Sequence, residues 1–136
     1  MALALAATAC THNNGDIGEL FGTWQITGCR IADMDMRLPG NEYISFQGTV
    51  INFRHVDEVN KTFTDHAWGN WARTNDNIAV TLSDNWFDKT NLPEAPDGKT
   101  LTLHIDTLTP SSMELSYEGK KEGKPIKVLI YLKKIS

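Results

Sequence analysis

The sequence predicts an all-β domain: eight antiparallel strands in up-and-down order, curled until the first and last pair and close a barrel. Three observations carry this expectation. Apolar residues recur at every second position, or run on continuously, through most of residues 18–136, as in strands with one face buried. The runs are separated mostly by short turns rich in Gly, Pro, Asn and Ser, which join antiparallel neighbours. No segment between them reads as helical. A chain of 136 residues suits one domain, and 40% hydrophobic with 22% charged residues is ordinary for a globular one. Closing a meander removes its exposed edges. A two-sheet β-sandwich is the alternative packing of the same strands.

The first strand spans 22–30, with Trp24 and Ile26 on one face. Residues 32–41, polar and containing Pro39 and Gly40, read as a loop. In 42–56 the apolar parity switches, from Ile44 and Phe46 to Ile51 and Phe53, across Gln47-Gly48-Thr49. A period-2 pattern changes parity only at a turn or bulge, so a hairpin is expected there. Residues 63–73 form the next strand and Thr74-Asn75-Asp76 its turn, followed by 77–83 with Ile78, Val80 and Leu82 aligned. Residues 84–99, with Trp86, Phe87, Pro93, Pro96 and Gly98, cannot be a regular central strand and read as a long connection. Residues 100–108 alternate Leu101, Leu103 and Ile105, and Thr109-Pro110-Ser111-Ser112 turns the chain. Met113, Leu115 and Tyr117 share a face, 119–125 read as a flexible charged turn, and 126–135 align Ile126, Val128, Ile130 and Leu132.

Composition excludes some functions. A net charge of −4 does not favour nucleic acid, and no run approaches the ~20 apolar residues of a membrane helix. The charge is uneven: the last 18 residues hold Lys120, Lys121, Lys124, Lys127, Lys133 and Lys134 against Glu122. They read as a solvated hairpin whose lysines discourage edge pairing, with a surface for anionic membranes as the alternative. No nucleophile elbow, Gly-rich phosphate loop or dinucleotide fingerprint is present, and no catalytic residue or cofactor is expected. Asp65 and His66 are adjacent on a strand, so they point to opposite faces and do not form a dyad. His55, His66 and His104 sit on three strand candidates, and three convergent histidines would bind zinc or copper. With no ligand-spacing signature, separate histidines are the commoner arrangement, and no metal site is expected.

The aromatic residues are the candidate ligand contacts: Phe53, Trp68, Trp71, Trp86, Phe87 and Tyr117. Core packing competes with that role, since each large aromatic brings ~150–250 Å² of surface to bury. Trp68 and Trp71 have opposite parity, so a regular strand cannot aim both inward. Trp86 and Phe87 lie in the long connection, near a barrel mouth.

The N-terminus reads MALALAATAC, followed by the polar stretch from Thr11 to Asp16. It resembles the end of a bacterial lipoprotein signal peptide, with Cys10 acylated after cleavage and the polar stretch as tether. This divides the chain into a leader and tether at 1–17 and a domain at 18–136. Cys29 is then a single, buried apolar residue; without acylation, a Cys10–Cys29 disulfide is the alternative. Gly22-Thr23-Trp24, preceded by Leu20-Phe21, is similar to the Gly-x-Trp start of lipocalins. Joined to Cys10, Tyr43-Ile44-Ser45-Phe46, the segment from Leu108 to Leu115 and Tyr131-Leu132-Lys133-Lys134, it resembles the small lipocalin-like lipoproteins of Bacteroidetes. The resemblance implies a lipocalin-like barrel in the bacterial envelope, Trp24 packed across its closed end, a lipid anchor on Cys10, and a small apolar ligand in the interior. The alternative is a filled barrel serving a structural or protein-interaction role.

Overall fold

The computed structural model describes residues 18–57, 59–84, 86, 92–95 and 99–135. The leader, Cys10 and Phe87 lie outside the described residues. Nine strands are present among them: β1 (Gly22–Ile31), β2 (Met34–Arg37), β3 (Glu42–Gln47), β4 (Val50–Asp57), β5 (Thr62–Thr74), β6 (Asn77–Leu82), β7 (Thr100–Leu108), β8 (Ser112–Lys121) and β9 (Lys124–Lys134). Neighbours from β3 to β9 pair in sequence order, β1 pairs β3, and β1–β9 pairing closes the sheet. The architecture is therefore the expected eight-stranded antiparallel barrel, with β2 as an added strand, and not a sandwich.

Two loop expectations are corrected. Residues 32–41 hold β2, which pairs the second half of β1 from Gly28↔Arg37 to Ile31↔Met34. The first half of β1 pairs β3 instead, from Gly22↔Phe46 to Gln25↔Tyr43. Every residue of β2 is exposed; its Met-Asp-Met-Arg alternation spans only four residues before Pro39 and Gly40, too short a run to stand out from a loop, and pairing with β1 makes it a strand. The charged turn at 119–125 is far shorter than expected. β8 and β9 pair out to Lys121↔Lys124, and Glu122 and Gly123 adopt φ 54° and 78°. Positive φ at both central residues is the geometry of a tight two-residue hairpin turn.

Inside the barrel, one continuous cluster collects Trp24, Ile26, Ile44, Phe46, Ile51, Phe53, Trp71 and the alternate residues of β6 to β9. Trp24 is fully buried; its indole N–H donates to the Leu20 carbonyl at 3.0 Å, and Lys134 lies over its ring. Cys29 is a free, buried thiol. Burial pushes its pKa up, with a smaller contribution from the charge of Asp35.

Candidate functional site

The strand order defines two ends. Trp24, Phe46, Val50 and Lys134 stand at one. The other gathers the start of β3, the end of β4, the start of β5, the β8–β9 turn and the connection from β6 to β7. The described part of that connection runs over this second end. Lys120 donates its N–H to Glu94 O at 2.7 Å, and the Tyr117 hydroxyl donates to Pro93 O at 2.8 Å. A Cβ on Gly119 would meet Pro93 Cβ at 2.9 Å, so the missing side chain is what lets residues 93–94 lie against β8. Burial pushes the Tyr117 hydroxyl pKa far up, so it stays a neutral donor.

The expected aromatic contacts separate into groups. Phe53, Trp71, Trp86 and Tyr117 are buried in the interior. Phe53 and Trp86 pack with ring centroids 4.5 Å apart, and Phe46 meets Trp71 edge-on at 5.1 Å. Trp68 is 54% exposed while Trp71 is 3% exposed, which resolves their parity conflict by pointing Trp68 outward. Trp86 enters from outside the strands, and fills the interior against Phe53.

The same end carries a polar group that no spacing in the sequence announces. Glu42 and His55 are cross-strand partners in β3 and β4, at inward parity with Ile44 and Phe53. His66 joins them through a bulge. Phe53 pairs Ala67 but Arg54 pairs Asp65, so β5 holds one residue more than β4, and His66 is that residue. The bulge leaves Asp65 outside, bonded to Arg54 at 2.9 Å, and brings His66 alongside His55. The two imidazoles stack at 4.9 Å and 10°. His55 Nδ1 lies 2.5 Å from Glu42 Oε2, and His66 Nδ1 lies 3.7 Å from Glu42 Oε1. Each residue offers a metal-ligating atom within 4.8 Å of the other two. His104 is elsewhere, 3.2 Å from Asn77 Oδ1. Glu42 was legible as a partner of His55 from the hairpin register alone; the place of His66 depends on the bulge.

No protein-family model matches the sequence, and no curated protein matches it. Solved structures do. A lipocalin-like protein from Bacteroides uniformis superposes with a TM-score of 0.63 at 20% identity, over 87% of this chain and 100% of the other. An uncharacterized protein from Bacteroides eggerthii gives 0.64 at 16% identity, over 85% and 99%. The fold of this chain is a lipocalin-like β-barrel.

Proposed function

We propose that the protein is a non-enzymatic binding module of the bacterial envelope, which takes one small apolar ligand in the space that the Trp86 side chain fills. The observation that carries this reading is the origin of Trp86. Phe46, Phe53, Trp71 and Tyr117 are fixed on strands, whereas Trp86 comes from the connection between β6 and β7. A ligand that displaces it gains an apolar seat on Phe53 without breaking the barrel. The fold class supports the reading, because eight strands enclose an interior that side chains fill or one small ligand occupies. The leader resemblance supports attachment through Cys10, where stable anchoring needs a multiply acylated cysteine.

A ligand of about 20 heavy atoms at ~0.3 kcal/mol each would bind with ~6 kcal/mol, a Kd of tens of micromolar. Calorimetry with a panel of fatty acids, sterols and haem tests this. Binding at that level is expected in the native chain, and about tenfold tighter binding in Trp86→Ala, where the ligand has no side chain to displace. No binding by either protein overturns the ligand reading. Mass spectrometry of the protein from its native host tests the anchor; an unmodified Cys10 overturns that part alone.

A filled barrel is the second reading, favoured by the near-complete burial of every inward side chain in the cluster. Function would then lie outside, where Trp68 and Val50 stand exposed on adjacent strands.

A further inference from the structure

We infer that Glu42, His55 and His66 form a binding site for a divalent transition-metal ion, with zinc as the ion that fits best. The site stands apart from the apolar interior and does not depend on the ligand reading.

The donor set is the first argument. Two imidazoles and a carboxylate suit zinc and its neighbours, whereas magnesium and calcium take all-oxygen shells. Spacing is the second. Two ligands of one tetrahedral zinc, each at about 2.0–2.1 Å, stand about 3.3 Å apart. The contacts of 2.5 Å and 3.7 Å between Glu42 and the two histidines bracket that separation. The three ligand atoms all lie within 4.8 Å of one another, so shifts of about 1–1.5 Å, within the reach of side-chain rotation, would seat an ion.

Glu42 supplies the third argument. Its Oε1 is buried and accepts no hydrogen bond among the described residues, although buried acceptors are almost always satisfied. Among the described residues, its charged or chargeable neighbours within 4 Å are His55 and His66, with no lysine or arginine. Among the described residues the carboxylate therefore faces two imidazoles and no permanent cation, and a bound ion would supply both charge and a partner for Oε1. Arg54 is on the next position of β4, but it points to the outer face and pairs with Asp65.

Placement is the fourth. A hairpin register puts Glu42 opposite His55, and a bulge, which commonly serves to re-aim a side chain, adds His66 from a third strand. The side chains keep 20%, 30% and 18% of their surface, in the order Glu42, His55, His66. Glu42 Oε1 and His66 Nδ1 are themselves buried, so an ion would enter along the exposed parts of these side chains and seat after they shift; with three protein ligands, its fourth position is open to water.

The test is a zinc titration of tag-free, full-length protein in competition with a chromophoric chelator. One equivalent should bind with a Kd on the order of micromolar or tighter. His55→Ala, His66→Ala and Glu42→Gln should each weaken binding at least about tenfold, while His104→Ala leaves it unchanged. Cobalt in place of zinc should give the visible absorption of a low-symmetry site, and the signal should vanish in His66→Ala. Should the variants fail to fold, the unmutated protein still decides. Zinc must shift the imidazole NMR resonances of His55 and His66 and leave those of His104 in place. Resonances that do not move, the absence of binding below 1 mM, or affinity undiminished in the His55→Ala/His66→Ala double variant would each overturn the site.

Discussion

A methyl group built on Gly69 would lie 1.8 Å from Thr81 O and 2.9 Å from Leu82 Cα. Those are backbone atoms of β6, so nothing soft can give way. Gly69→Ala is expected to cost about 3 kcal/mol, at the upper end for overpacking, read as a fall in the urea midpoint. Gly48 behaves differently: a Cβ there meets nothing, but φ is +56°. Gly48→Ala should cost about 1 kcal/mol, the left-handed penalty alone. The two glycines differ in physical cause, and the sequence distinguishes only one. Gly48 stands in an obvious turn, where a positive φ is natural; the crowding at Gly69 depends on how closely β6 approaches. The same boundary runs through the candidate sites. Opposite parity showed that Trp68 and Trp71 could not both face inward, but the register of β5 decided which one does. Glu42 follows His55 from a hairpin centred on Gly48 and Thr49. His66 needed an inserted residue that leaves no mark in a hydrophobic pattern.

β2 illustrates the same limit at the scale of an element. Its alternation of Met34 and Met36 with Asp35 and Arg37 spans only four residues, all exposed, too short a run to announce a strand. Polar contacts tie it to the barrel instead. Asp35 accepts from Arg30 Nε at 3.0 Å and Nη2 at 3.1 Å, and from the Tyr131 hydroxyl of β9 at 2.8 Å. These bonds, led by that from Arg30, hold the Asp35 carboxyl below the usual carboxylate range. The sign of the pH effect follows. A depressed native pKa contributes stability above the unfolded value, about 3.9, and that stability is lost as pH falls through the native value. Asp35→Asn should therefore lower the urea midpoint at pH 7, and the gap from the native protein should shrink steadily below about pH 4. The group is exposed, so the effect is small and should weaken further in high salt. A gap that persists unchanged at pH 2 would assign the loss to something other than the charge. By contrast, β6, β7 and the inward residues of β8 and β9 were legible to within a residue or two, since each combines strict alternation with a recognisable turn.

At the scale of the whole molecule, the order of the hairpins was enough to anticipate closure, because a meander of eight strands returns its last strand to its first. The seam runs through Cys29, which pairs Ile130 of β9 on one side and Met36 of β2 on the other. Its thiol is fully buried and its pKa raised, chiefly by that burial, so the reactive thiolate is doubly suppressed. Reagent can reach it only if β1 parts from its neighbours. In a Cys10→Ser chain, where Cys29 is the remaining thiol, alkylation near pH 8 is expected to run at least about 10³-fold slower than in the denatured chain, as a stability above 5 kcal/mol requires. The denaturant dependence of that rate then reports how the barrel opens. If the seam holds as one cooperative unit, the rate should rise with urea along the slope of global unfolding. A rate that stays flat at low urea would mean that β1 parts from β9 in a local opening while the rest of the sheet stays folded. In a closed barrel the two pathways should differ, because freeing Cys29 requires breaking β1 from β9, and with that pairing the closure itself is lost.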